Sequence, residues 1–164
     1  MTSVIAADAR GNRLLSVTAA TLDELSVAAE LTPCPLALVV VVNSNNLDVL
    51  FGLNSWRREY ELPGGVVEEG ESFAEAAQRE LEEETGIRAE TLKLLGFAQF
   101  SLVAPVREEL GAIYLTRTTS RRTVASDEMS EFVWRRPLTG SPSEVSALDD
   151  AIADWAVGLV AVSA

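Results

Sequence analysis

The chain has 164 residues, 48% of them apolar and 23% charged, which suits one compact domain over 1–164 that buries its own core without disulfides. It has no histidine and one cysteine, Cys34, which excludes Ser–His and Cys–His catalysis, imidazole metal sites and an internal disulfide. The net charge of −12, from 25 acidic and 13 basic side chains, argues against DNA or RNA as a partner, and no apolar run reaches the roughly 20 residues of a membrane span.

Val4–Ala7 and Leu14–Thr18 flank Arg10-Gly11-Asn12 and predict a hairpin. Thr21 is a good cap for a short helix over Leu22–Leu31, which Pro33 and Pro35 end. Leu36–Val42 is apolar throughout and mostly β-branched, as in a strand covered on both faces, and it stands as the longest apolar run. The Asn43–Asn46 cluster is a turn, and Leu47–Leu53 a second strand. Pro63-Gly64-Gly65 breaks the chain. A helix follows Gly70, with Ser72 as N-cap and Glu75 completing a capping box; Phe73, Ala77 and Leu81 form one apolar stripe, and Gly86 stops it.

Leu92–Val103 and Leu110–Arg117 read as strands separated at Pro105, and Phe132–Trp134 as a short strand closed by Pro137. Ser143 caps a last helix whose stripe of Val145, Leu148, Ile152, Trp155 and Leu159 suits core or dimer packing. Strands on both sides of an internal helix, with another helix at the end, predict an α/β fold: a mixed sheet sandwiched by helices. The N-terminus lacks the basic-then-apolar layout of a signal peptide, so a cytoplasmic location is expected.

The informative stretch runs from Gly65 to Ile87. Helical residues turn by about 100° each, so Glu83 lies about 60° to one side of Glu80 and Glu84 about 40° to the other. Three carboxylates in one arc repel, and Arg79 alone cannot neutralise them. A hard divalent cation with oxygen ligands can. Glu82 points away from this arc. A solvated helix face would carry the same acidic run. The preceding Pro63-Gly64-Gly65 brings bare backbone toward the helix, where a carbonyl could add a ligand; a plain tight turn would use the same glycines. Trp56, Arg57 and Arg58 offer an aromatic face and two guanidiniums for base stacking and phosphate binding, or simply a solvated strand end.

The stretch resembles the signature of the Nudix hydrolase family, G-x5-E-x7-R-E-U-x-E-E-x-G-U with U aliphatic. Gly65, Glu71, Arg79, Glu80, Leu81, Glu83, Glu84, Gly86 and Ile87 meet its nine fixed positions, and Glu61-Leu-Pro-Gly64 before it is also typical. The resemblance implies an α/β/α sandwich with a mixed central sheet. It also implies Mg²⁺-dependent hydrolysis of a diphosphate linkage in a small nucleoside diphosphate derivative, with Mn²⁺ as a substitute cation. Carried over by position, Glu80, Glu83 and Glu84 are metal ligands together with the Gly64 carbonyl, and Glu71 pairs with Arg79 to orient the helix carboxylates. A further ligand or base is expected from a later acid among Glu108, Glu109, Asp127, Glu128 and Glu131, with Glu128 favoured for its place before the last strand.

The alternative is a catalytically silent nucleotide-binding module of the same fold, though every signature glutamate is intact. Isomerisation on this fold would call for histidine-rich metal binding, which the composition excludes. The residues do not select among nucleoside triphosphates, ADP-ribose, nucleotide sugars and dinucleoside polyphosphates. The N-terminal hairpin and last helix are candidate surfaces for a homodimer.

Overall fold

The structure, a computed structural model, describes residues 3–140 and 144–162; the expected Ser143 cap lies outside the described residues. Among the described residues nine strands form one sheet: β1 (Ala6–Ala7), β2 (Arg13–Ala19), β3 (Leu36–Asn43), β4 (Val49–Asn54), β5 (Tyr60–Glu61), β6 (Gly64–Val66), β7 (Lys93–Val103), β8 (Val106–Thr118) and β9 (Met129–Arg135). Among the described residues three helices join them: α1 (Leu22–Leu31), α2 (Phe73–Thr85) and α3 (Ala147–Val162). The strand order is β1-β2-β7-β8-β3-β4-β5, with β6 on β3 and β9 on β4. Only the β3–β8 pairing of these strands is parallel, so the sheet is mixed. No helix among the described residues is long and apolar enough to cross a membrane.

β3 explains why the sheet is covered on both faces. Its side chains alternate. Leu38, Val40 and Val42 join one apolar cluster with Ile152, Ala153 and Ala156 of α3. Ala37, Val39 and Val41 join the other, with Ala76, Ala77 and Leu81 of α2 and Leu25 of α1. The uninterrupted apolar run is thus a strand between two helical layers, and the α/β/α sandwich is the observed architecture. Leu148 and Ile152 of the α3 stripe are buried, with Val145, Trp155 and Leu159 packed partly buried against the same cluster. The stripe is therefore core.

Several boundaries differ from the sequence expectation. β6 overlaps the Pro63-Gly64-Gly65 stretch read as a chain break, and β5 lies where no element is expected; two or three residues are too few for alternation to show. β8 starts at Val106, so only the Ala104-Pro105 turn separates it from β7. β9 runs from Met129, three residues earlier than expected. The full capping box belongs to Thr21 and Glu24 of α1. At α2, Ser72 Oγ accepts the Glu75 N–H at 3.1 Å, and the reciprocal half expected from Glu75 is not formed. Gly86 ends α2 in the left-handed region at φ 75°.

Candidate active site

β6 sets the backbone against which α2 presents its acids. Gly64, Gly65 and Val66 pair with Leu38, Ala37 and Leu36 of β3, and the Val39 N–H bonds the Pro63 carbonyl at 2.8 Å. The Gly64 N–H then donates to Glu84 Oε1 at 2.8 Å. A Cβ on Gly65 would stand 2.5 Å from Glu80 Oε1, so that carboxylate occupies the space a side chain would fill. Both glycines hold the sheet edge close to the helix, and each meets a different glutamate.

Arg79 organises the next layer. Its Nε and Nη2 bond the two oxygens of Glu71 at 2.8 and 2.9 Å, and Nη2 also reaches the Val66 carbonyl at 3.0 Å. Nη1 donates to Glu80 Oε1 at 2.8 Å and, more distantly, to Glu83 Oε2 at 3.4 Å. The Arg79 guanidinium holds the Glu71 carboxyl down to about 2, and the carboxylates in turn raise the Arg79 pKa. Arg79 therefore stays charged, fixed between Glu71 and Glu80 by a fork geometry that lysine cannot reproduce.

Glu128 arrives from the segment before β9. Its carbonyl accepts the Ser55 N–H at 2.8 Å. Carboxylate oxygens of Glu80, Glu84 and Glu128 all lie within 4.8 Å of one another. Glu84 is 2% exposed. Burial pushes its carboxyl up to about 9, against the Gly64 N–H that favours the charged form; Glu128, Glu80 and Glu61 add repulsion. Burial raises Glu128 too, and Glu80 adds to it. The fit to a cation follows from this chemistry. Three hard oxygen donors converge, and at two of them, Glu84 and Glu128, burial and then neighbouring carboxylates disfavour the charged form, a balance that a divalent ion would reverse.

The structure sorts the remaining expected residues. Glu83 has a side chain 63% exposed and lies outside the three-carboxylate group, on the Arg79 side. Glu82 bonds Arg88 on the outer face at 2.8 Å. Trp56 is 70% exposed. Arg57 is gripped by Glu61 through two bonds at 2.5 and 2.8 Å. Arg58 is exposed, at φ 58°. Of these three, Arg57 lines the adjoining cleft. Among the other later acids, Glu108 bonds Gln99, Glu109 pairs with Arg107, and Glu131 accepts the Tyr60 hydroxyl.

That cleft has a volume of about 520 Å³ and begins at Gly64, Gly65, Glu80 and Glu128. Leu36, Leu38, Phe100, Leu102 and Leu148 give it an apolar lining, while Glu59, Glu61, Glu109 and Asp149 leave it acidic. Arg10 and Arg57 are its cations, each paired with a glutamate, Arg10 Nη2 with Glu59 Oε2 at 2.8 Å. An anionic ligand entering here meets net negative charge, which a cation would have to offset. Sequence reasoning missed Arg10, Asn12 and Asp149. Asp149 accepts the Leu62 N–H at 2.8 Å, and burial pushes its carboxyl up to about 7. Nothing local distinguishes these residues, because the fold alone brings the first hairpin and the start of α3 to the cleft.

A family model describing the NUDIX domain matches residues 33–155. Nudix hydrolase 10 of Arabidopsis thaliana is 31% identical over 115 residues, covering 70% of this chain and 42% of that protein. The RNA pyrophosphohydrolase of Psychromonas ingrahamii is 36% identical over 56 residues, 34% of this chain and 31% of that one. The chain spans less than half the length of these curated relatives. Among solved structures, the MutT protein from Methanosarcina mazei Go1 superposes with a TM-score of 0.64 at 20% identity, covering 79% of this chain and 96% of that one. With the complete signature lying on α2 and its preceding loop, within the matched residues, the chain belongs to the Nudix hydrolase family.

Proposed function

We propose that this protein hydrolyses the diphosphate linkage of a nucleoside diphosphate derivative in a Mg²⁺-dependent reaction, with Mn²⁺ able to substitute. The observation that carries the reading is the convergence of Glu80, Glu84 and Glu128 within 4.8 Å at one end of a cleft large enough for a small organic molecule. These three carboxylates would hold the cation, with the Gly64 carbonyl and Glu83 as flanking ligands. When bound, a divalent ion supplies Lewis acidity for the phosphoryl oxygens and the attacking water.

The residues of the chain then have separate tasks. Glu71 fixes Arg79, and Arg79 orients Glu80 through its 2.8 Å bond. Gly64 orients Glu84 through its backbone N–H. Glu128, with Glu80 as the second candidate, takes the proton of the water that attacks phosphorus in line. The new bond joins water oxygen to phosphorus, the P–O bond of the bridge breaks, and the second phosphoryl group leaves with the bridging oxygen. Arg57, pre-positioned by Glu61, faces the phosphoryl groups from the cleft wall. Trp56 and Arg58 would contact the part of the substrate that extends beyond it.

Phosphate or nucleotide release from a panel of nucleoside diphosphate derivatives, with Mg²⁺ and with chelator, tests this reading. Glu84→Gln and Glu128→Gln are each expected to lower the Mg²⁺-dependent rate about 100-fold or more. Full activity in either variant would remove that residue from the site. Tight Mg²⁺-dependent nucleotide binding without turnover by the parent protein would identify a silent binding module instead.

A further inference from the structure

We infer that Ser126 is the positioning residue that sets Glu128 against Glu84. The inference rests on the carboxylate-cation reading above and concerns how the third carboxylate is brought to the other two. Glu80 and Glu84 share one helix, so their separation is fixed by α2. Glu128 comes from a segment 44 residues further on, and its place depends on what fastens that segment to the helix.

The last carbonyls of a helix have no partner within it. At the end of α2, two of them are taken by the incoming segment. The Val124 N–H donates to the Thr85 carbonyl at 2.8 Å, and the Ser126 Oγ–H donates to the Glu84 carbonyl at 3.0 Å. The same hydroxyl oxygen accepts the Met129 N–H at 3.0 Å, while the Ser126 N–H donates to the Met129 carbonyl at 2.9 Å. Residues 126–129 are thereby closed into a tight turn with Asp127 and Glu128 at its tip.

A serine that only shaped this turn would need its backbone N–H and its acceptor oxygen. The donated bond to Glu84 is additional, and it goes to the main chain of the residue whose carboxylate Glu128 must meet. A hydroxyl can donate and accept at once on a short side chain, which alanine cannot do. The opposite side of the turn is held by the Ser55 N–H on the Glu128 carbonyl at 2.8 Å. Glu128 is thus suspended between α2 and the end of β4. Val124 and Ser126 both fasten the segment to α2, and Ser126, two residues from Glu128 and bonded to Glu84 itself, is the attachment that transmits the helix position to the third carboxylate.

The test compares Ser126→Ala, Ser126→Cys and Ser126→Thr with the parent protein. Mn²⁺ is titrated alone, without substrate, and free Mn²⁺ is read by electron paramagnetic resonance; thermal unfolding is measured in chelator. Ser126→Ala and the similarly sized, weakly bonding Ser126→Cys are expected to weaken Mn²⁺ binding roughly 10–100-fold. Ser126→Thr keeps the hydroxyl and is expected to bind within about threefold of the parent. In a Glu128→Ala background the Ser126→Ala effect should shrink below about twofold, because Ser126 acts through Glu128.

Parent-like Mn²⁺ binding by Ser126→Ala or Ser126→Cys overturns the inference. So does an undiminished loss in the Glu128→Ala background, and so does a Ser126→Thr protein that folds but binds as weakly as Ser126→Ala. Should Ser126→Ala not fold, Ser126→Cys and Ser126→Thr decide. A parent protein that binds no Mn²⁺ defeats the cation reading and this inference together.

Discussion

Gly64 and Gly65 are adjacent in the chain, yet alanine at each should fail in a different way. At Gly65 the new methyl would lie 2.5 Å from Glu80 Oε1 and 2.6 Å from its Cδ. Ordinary contact begins near 3.4 Å, so the carboxylate must retreat by about 1 Å, and if Glu80 has the role proposed for it, displacement on that scale costs on the order of 100-fold in rate. The obstructing atoms are the end of a flexible side chain, so the fold can adjust. Reduced freedom of the unfolded chain offsets part of the cost, by about 0.4–1 kcal/mol. At Gly64 the methyl would lie 2.5 Å from the Ala37 carbonyl oxygen and 2.9 Å from the Leu38 Cα, at φ +154°. Those are backbone atoms of a buried central strand. Strain of about 1–3 kcal/mol from the dihedral alone adds to the collision.

Gly65→Ala is therefore expected to lose roughly 100-fold in kcat while its unfolding free energy changes by less than about 1 kcal/mol. Gly64→Ala should lose about 3 kcal/mol or more. Steady-state kinetics with saturating Mg²⁺ and urea unfolding in chelator separate the two. Parent-like turnover by Gly65→Ala, or equal destabilisation by both variants, would refute the reasoning.

Three other outcomes follow from the geometry. Glu84 is a carboxyl raised from 4.5 to about 9, so in chelator its contribution to stability is complete below about pH 4.5 and is lost as pH rises through about 9. Glu84→Gln should therefore gain stability over the parent increasingly as pH rises across that range, in urea melts run from pH 5 to 9, while losing activity. Arg79→Lys keeps a charge but not the fork that spans Glu71 and Glu80; kcat should fall about 10-fold or more with KM little changed in substrate titrations. Glu83→Gln, outside the three-carboxylate group, should weaken Mn²⁺ binding far less than Glu84→Gln in calorimetric titration.

Much of the sandwich could be read from residues such as Leu36–Val42 and Gly86, because a doubly covered strand and a helix stop leave strong local signatures. The acidic arc was equally visible. The difference between Glu83 and Glu84 was not. Rotation per residue places them on either side of Glu80, but only the docking of α2 on β3 and β6 decides that Glu84 is buried at 2% exposure and Glu83 faces out. Glu128 could be singled out by its place before a strand, whereas Ser126 gave no signal, since its value depends on where the end of α2 falls in space. Arg10 and Asp149 were hidden for the same reason: their role is a matter of which loops the sheet order gathers at one cleft.

The separation of Glu128 from α2 along the chain has a kinetic side. Between them lie β7 and β8, and β8 joins β3 in parallel across some 75 residues of sequence, the kind of distant pairing that slows folding. A chain in which α2 has docked but β9 has not would hold Glu80 and Glu84 without their third partner. A divalent cation would then bind the finished protein more tightly than any such precursor, and by mass action would draw the population forward. Metal-dependent protection from proteolysis would accordingly report the seating of β9 on β4, which brings Glu128 to the other two carboxylates.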